Sequence, residues 1–455
     1  MPRSVKTIPQ HSRLPLITHI PKLLTDPCQF FSHIHQTKGD TVFLGTIKGQ
    51  PVYLIVNPND VQYILQDNHQ NFSQGGYLDG DQIVFGKPPT HIDLGQRKRQ
   101  NQPAFSRKRT NAHLPLMISK TQATIAYLET RLDQHVDMLT LMRRLSLSIN
   151  GQILFGTEID PYLDDLCPIL TNVMRHFTYR NVLGYVGLPH WMPLPGKKDF
   201  TTAQQFLQKM VTLSENHRGD ETNLLAIIKQ RNGDQNAIHN KLAPLLFASY
   251  ETTATTLCWF FYALATHPQI ESRVRQELSQ VLGADLPHAG HLPQLTYTNQ
   301  VIAEVLRLYP PVFFLGRVNQ KADTIEGYSI PENAFLLVSP YLTQRHPQFW
   351  ENPMQFNPER FSPSQVEQQH AHAYFPFGSG PHVCIGRRYA LTELPLIISM
   401  LLQKFEFNLA PNSEVKPRPM PTLLPEGGLP MSVSLAKPTI ASLGPTYDMV
   451  HIDSK

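Results

Sequence analysis

The sequence is poor in charge, in cysteine and in long hydrophobic runs. Charged residues make up 17% of its 455 positions, against the ~25% usual in soluble domains. Lys+Arg 40 against Asp+Glu 36 leaves a net charge of +4, too small to announce a nucleic-acid partner. The four cysteines, Cys28, Cys167, Cys258 and Cys384, are scattered with no Cys-x-x-Cys pair. That spacing excludes a secreted disulfide framework and reads as reduced thiols in a cytoplasmic chain. The longest uninterrupted apolar run, residues 257–265, falls far short of the ~20 residues that a membrane span needs. Met1-Pro2-Arg3-Ser4-Val5-Lys6 leads into polar sequence and does not read as a signal peptide. Repeats and low-complexity blocks are missing, so collagen, coiled coil and disorder are excluded.

What is present is a 41% hydrophobic chain with 25 Gly and 39 Pro, long enough to bury a large core without metal or disulfide. Residues 41–47 and 51–56 read as strands, and a helix starts at Pro58-Asn59-Asp60. Residues 72–92, rich in glycine, read as a long loop. Helical patterns dominate from 97 to 267, broken over 184–196. The run 236–267 is the longest, with Pro244 near its start and Pro268 just past its end. A helix over 297–309 is stopped by Pro310-Pro311. Short strands and irregular chain follow to 386, then a helix over 387–405. The fold class is mainly α with a smaller β-rich part, as one domain over 1–455 with an unassigned tail from about 437.

Three motifs carry chemistry. In Phe377-Gly378-Ser379-Gly380-Pro381-His382-Val383-Cys384-Ile385-Gly386, a glycine-rich loop delivers one cysteine to the start of a helix. Glycines there permit tight turns and close approach to a flat ligand, while the helix N-terminus favours the thiolate. His370, His372, His382 and Cys384 also form a rival four-ligand zinc set, though with irregular spacing. Glu304-Val305-Leu306-Arg307 places an acid and a base on one helix face, alone no more than a surface ion pair. Ala248-Ser249-Tyr250-Glu251-Thr252-Thr253 sets an acid–alcohol pair inside an apolar helix. Burying that pair is costly unless it binds something, or unless the threonine bonds the carbonyl one turn back.

Together these motifs resemble the cytochrome P-450 superfamily of haem-thiolate monooxygenases, soluble bacterial type, over nearly the whole chain. The resemblance implies a cytochrome P-450 fold holding heme b between a long distal helix and the cysteine loop, with Cys384 as axial ligand. Glu251 and Thr252 match the positions that deliver protons during oxygen activation, with Ser249 replacing the usual glycine. Glu304 and Arg307 join Arg360, in Phe356-Asn357-Pro358-Glu359-Arg360-Phe361, as a structural triad. Arg317 and His382 are the implied propionate partners. For a third partner, one alignment points to His91 and another to Lys98. Phe377 packs beside the ligand sulfur, with Gly378, Gly386 and Ala248 also against the cofactor. Implied substrate contacts are Tyr77, Ile83, Val84 and Phe85; Leu246 and Phe247; Val312, Phe313, Phe314 and Leu315; and Leu429 and Met431.

Nearly all of those contacts are apolar, so the expected substrate is a lipophilic small molecule, hydroxylated or epoxidised with O2. With no flavin or iron–sulfur region recognised in the chain, two electrons come from a separate partner. The basic clusters Arg97-Lys98-Arg99, Arg107-Lys108-Arg109 and Arg387-Arg388 favour an acidic ferredoxin or flavodoxin with its reductase. A monomer is expected. Two alternatives stand beside this reading: a peroxide-driven or isomerising haem-thiolate enzyme, and a non-catalytic haem-binding sensor.

Overall fold

The structure is a computed structural model that describes residues 7–11, 16–47, 49–73, 105–185, 194–216 and 235–437. A 3-10 turn (Leu16–His19) and a short helical segment (Ile20–Thr25) lead into helix α1 (Pro27–Lys38), capped by the Asp26 carboxylate, which accepts from the Gln29 N–H at 2.9 Å. Strands β1 (Thr41–Ile47) and β2 (Gln50–Ile55) pair antiparallel, and α2 (Pro58–Gln62) follows with a π turn at Tyr63–Asp67. Short β3 (Phe72–Ser73) pairs with β5 (Leu315–Asn319), which in turn pairs with β8 (Phe335–Val338), both from far along the chain. The resulting sheet runs β1-β2-β8-β5-β3, with β2 and β8 parallel. Between them β6 (Asp323–Ile325) and β7 (Tyr328–Ile330) form a separate hairpin.

The helical part contains α3 (Leu114–Glu129), α4 (Met138–Phe155), α5 (Leu163–Tyr185), α6 (Lys197–Asn216) and α7 (Gln235–Thr266). It continues with α8 (Pro268–Val281), α9 (Thr296–Leu308) and α10 (Arg387–Lys404). At 32 residues, α7 is about 48 Å long. The helical stretch expected from 97 to 267 is also interrupted by β4 (His135–Asp137). This strand pairs with β12 (Pro430–Leu435), which also pairs with β9 (Phe405–Leu409). Long-range pairing of this kind leaves no local pattern. Asp137 then caps α4, accepting from Thr140 N at 3.1 Å, and Gly156 ends that helix in the left-handed region at φ 71°.

One large apolar core joins α3, α4, α7, α9 and α10. Trp259 is completely buried in it, stacked on Tyr309 at 4.1 Å, with its Nε1 donating to Leu423 O at 2.6 Å. A second cluster packs α5 and α6 against one face of α7. No helix among the described residues is long and apolar enough to cross a membrane.

Candidate active site

The cysteine loop is shaped by its backbone. Cys384 N–H donates to Phe377 O at 2.8 Å, and Val383 N–H donates to Gly380 O at 3.1 Å. Gly378 and Gly380 take φ of 71° and 65°, where a side chain is strained. At Gly380 a Cβ would also sit 2.0 Å from Leu65 O, so the loop rests directly on the π turn after α2. Gly386 departs from the expected tight-turn role: it is the N-cap of α10 at φ −81°, and a Cβ there would approach Cys384 Sγ to 3.8 Å. Its place is beside the sulfur, not at a bend.

Cys384 is exposed while Cys28, Cys167 and Cys258 are buried. Burial pushes the Cys28 and Cys258 thiols up, and that of Cys167 up to about 11, so these three are protonated and inert at neutral pH. The rival zinc set is not assembled. Among the described residues, the one group of three such ligand atoms within 4.8 Å is His35, Asp40 and His346. His372 instead bonds Ser379 Oγ at 2.8 Å, and His370 bonds Asn59 Oδ1 at 3.1 Å.

On α7, Ala248 is exposed and Thr252 half-buried. One turn apart, they lie on the same, more open side of the helix. Thr252 Oγ1 donates to Ala248 O at 2.7 Å, and Ser249 Oγ to Leu246 O at 3.0 Å. Glu251 lies elsewhere. It is 1% exposed, and Arg143 of α4 clamps both its oxygens, Nε to Oε2 at 3.0 Å and Nη2 to Oε1 at 2.5 Å. Burial pulls Arg143 down, but the carboxylate outweighs it and holds the guanidinium above its usual range. The acid and the alcohol are thus neighbours in sequence that serve different faces.

Burial divides the expected substrate contacts. Leu246 and Phe247 pack into the α5–α6 cluster with Tyr250, because the helix turns that face away from Ala248. Leu429 and Met431 are fully buried in the main core, Met431 in the centre of the β4-β12-β9 sheet. By contrast Val312 is exposed, and Phe313, Phe314 and Leu315 are half-buried, with Phe314 also edge-on to Phe31 at 4.9 Å. Tyr77, Ile83, Val84, Phe85, His91 and Lys98 lie outside the described residues.

An element that sequence reading missed sits beside the exposed segment. Strands β10 (Pro417–Met420) and β11 (Thr422–Pro425) form a hairpin. Leu423 N–H donates to Pro311 O at 3.2 Å, and Thr422 Oγ1 meets Thr255 Oγ1 of α7 at 3.2 Å. Its prolines hid it, since proline is confined to edges and ends of strands.

Glu304 and Arg307 are not a surface pair. Both are 0% exposed, joined by two bonds of 2.6 and 2.8 Å, with Arg360 Nε 3.6 Å from Glu304 Oε1. Arg317, on β5, is 4% exposed and donates from Nη1 to Gly316 O at 2.7 Å. His382 is half-buried in the turn that leads to Cys384. Phe377 packs partly against the main core. Behind the cysteine loop, a surface cleft of about 690 Å³ is lined by Phe377, Gly378, Arg107, Arg387 and Arg388.

Comparison with known proteins agrees with this geometry. The sequence profile of the cytochrome P450 family matches residues 8–433. The chain is 27% identical over 425 residues to cyclooctatin synthase of Streptomyces melanosporofaciens, covering 90% of this chain and 92% of that protein. It is 26% identical to pentalenene oxygenase of Streptomyces avermitilis over 90% of this chain and 93% of the relative. The crystal structure of the cytochrome P450DA heme domain superposes with a TM-score of 0.82 at 22% identity, over 95% of this chain and 99% of that one. The chain therefore belongs to the cytochrome P450 family of haem-thiolate monooxygenases, whose cofactor is heme b held by a cysteine thiolate.

Proposed function

We propose that this protein hydroxylates or epoxidises a lipophilic, terpene-like small molecule, using O2 and two electrons from a separate redox protein, with Cys384 as the haem ligand. The carrying observation is that Cys384 is the exposed thiol among four cysteines, presented by a loop whose glycines leave room beside the sulfur. The donor set fits a haem: one accessible thiol at a helix N-terminus, with Arg317 and His382 as cationic partners for its carboxylates. When bound, the haem supplies oxygen activation and C–H oxidation.

The protein's own groups bind, orient and hold protons. Val312, Phe313 and Leu315 with the β10–β11 hairpin offer an apolar wall, as Ala248 does on α7. Two relatives support a cyclic, largely hydrocarbon substrate: cyclooctat-9-en-7-ol 5-monooxygenase, 28% identical over 88% of this chain, and pentalenene oxygenase. Thr252 keeps a hydroxyl proton on the more open side of α7. Glu304, Arg307 and Arg360 brace the chain behind the site. The reading extends to a single haem domain with a tail from about 437, a cytoplasmic monomer, and an acidic ferredoxin or flavodoxin docking near Arg107, Arg387 and Arg388. Of the three clusters singled out from sequence, Arg107 and Arg387-Arg388 line that face, while Arg97-Lys98-Arg99 lies outside the described residues.

The test is turnover of cyclic terpenes with supplied ferredoxin and reductase. Oxygenated product with O2 and electrons supports the reading, and product formed only with peroxide replaces it by the peroxide-driven alternative. In the same assay Thr252→Ala is expected to keep electron consumption while product per electron falls about a hundredfold, the lower end for loss of a proton-transfer group. Tight coupling in that variant removes Thr252 from proton delivery. Raising ionic strength is expected to slow reduction by an acidic partner, read by stopped flow as a falling second-order rate.

A further inference from the structure

Asp40 stands where three parts of the chain meet, with two imidazoles turned towards its carboxylate. His35 lies in the last turn of α1, and Gly39, at φ 104°, bends the chain so that Asp40 faces it. His346 arrives from far along the chain, just after the short helical segment Pro340–Thr343. Asp40 Oδ1 is 3.3 Å from His35 Nδ1 and 3.1 Å from His346 Nε2. One nitrogen of each imidazole and one carboxylate oxygen lie within 4.8 Å of one another. Asn57, the cap of α2, donates from Nδ2 to Asp40 Oδ2 at 3.0 Å and so leaves Oδ1 to the histidines.

Two imidazoles and a carboxylate are a donor set for zinc, whereas magnesium and calcium take oxygen ligands. Ligand atoms on a tetrahedral zinc at about 2.0–2.1 Å are separated by about 3.3–3.4 Å, close to the spacings around Asp40 Oδ1. The side chains of His35 and Asp40 are 14% and 19% exposed, while that of His346 is 3% exposed. An ion can thus enter from solvent against one fixed ring, which Phe349 backs edge-on at 5.2 Å. Among the described residues no lysine or arginine pairs with Asp40, so no fixed cation competes for its charge.

We propose that His35 Nδ1, Asp40 Oδ1 and His346 Nε2 form a zinc site, with water as fourth ligand, that ties α1 and the turn into β1 to the chain after β8. Asn57 orients the carboxylate from behind, the role that outer groups play at metal centres. Hydrogen bonds that zinc must replace hold the same atoms. His35 Nδ1 reaches Gly39 O at 3.3 Å as well as Asp40, and Gln348 N–H donates to His346 Nδ1 at 3.2 Å. Each imidazole gives zinc a lone pair, so its proton moves to the opposite ring nitrogen and the Gln348 bond opens. Starting from neutral imidazoles, no proton is gained or lost. Two N–Zn bonds and one O–Zn bond take the place of the N–H···O contacts, and the carboxylate offsets one of the two charges.

The test is a zinc titration of the haem-loaded protein against a chromophoric chelator, with Cys384 occupied by iron so that it does not compete. One zinc per chain should bind with a dissociation constant of about 1 μM or tighter, and magnesium should not displace it. X-ray absorption at the zinc edge should show nitrogen and oxygen neighbours at about 2.0–2.1 Å and no sulfur at about 2.3 Å. Asn57→Ala, which removes only the group behind the carboxylate, should weaken binding about tenfold. Asp40→Asn should abolish it, and His35→Gln, which keeps an N–H for Asp40 near the protein surface, should do the same if Asp40→Asn does not fold. A thermal melt and the carbon-monoxide spectrum check folding of each variant. Failure of the unsubstituted protein to take up zinc overturns the site and leaves a hydrogen-bonded cluster only. A sulfur neighbour, or equal binding by His35→Gln, also overturns it by placing the metal elsewhere.

Discussion

Replacing Cys384 by serine is expected to abolish the red-shifted Soret band of the reduced, carbon-monoxide-bound protein and to reduce monooxygenase turnover to background. The loop should survive, because its closing bond runs from the Cys384 N–H to Phe377 O at 2.8 Å and needs no sulfur. The side chain is exposed, so the change in folding stability should stay within about 0.5 kcal/mol, as for surface positions. The effect is confined to ligation. Serine presents a hydroxyl that stays protonated at neutral pH, whereas a thiol at a helix N-terminus is readily ionised. The other three cysteines cannot substitute, because each is buried with its thiol pushed up. The spectrum of the variant decides the point, with a thermal melt as the control on folding. A surviving thiolate band would place the ligand elsewhere in the chain and sink the assignment of Cys384.

Much of this site was legible in sequence because its parts are local. The cysteine loop needs glycines at fixed offsets, and two of them do take left-handed backbone. The acid–base pair of α9 lies one turn apart on a helix bounded by Pro310. What sequence could not yield is the rotation of each helix about its axis. Residues 245–265 of α7 are apolar on most faces, so no periodicity marked the side of Ala248 and Thr252 as more open or turned Phe247 inward. Partners contributed by distant helices were equally invisible. Arg143 lies far in sequence from its partner Glu251, and Asn150 far from the buried Glu393 to which it donates at 3.1 Å, so neither pairing followed from local sequence. Glu393 did carry one signal, an acid just ahead of the apolar run Leu394-Pro395-Leu396-Ile397-Ile398, which on a packed helix implies a buried carboxyl. The β10–β11 hairpin carried none, since Pro417, Pro419, Pro421 and Pro425 read as irregular chain until Trp259 and Pro311 hold it.

The second large effect is expected at Arg307. Its guanidinium donates to both oxygens of Glu304, at 2.6 and 2.8 Å, and to the carbonyls of Gln344, Pro353 and Gln355 at 2.9, 2.7 and 3.2 Å. Glu304 Oε1 also accepts the Asn357 N–H at 2.8 Å. The pair thereby pins α9 to the irregular chain that precedes the cysteine loop. Arg307→Ala strands a fully buried carboxylate with Arg360 as its remaining cation, at 3.6 Å, and leaves three carbonyls without that donor. Removing one partner of such a pair costs about 3–5 kcal/mol, set against a typical total stability of about 5–15 kcal/mol. Arg307→Lys should recover little, because an ammonium cannot span a carboxylate and three carbonyls as the planar fork does. Replacing both residues by leucine should cost less than Arg307→Ala, since no charge is then left buried, though the carbonyls and the Asn357 N–H still lose their partners. Urea denaturation of the three variants separates the contributions. If Arg307→Ala were as stable as the parent, the pair would be a bystander. If the double variant fell furthest, the contacts that Glu304 keeps with the Asn357 N–H and Arg360 would outweigh the cost of leaving its charge buried.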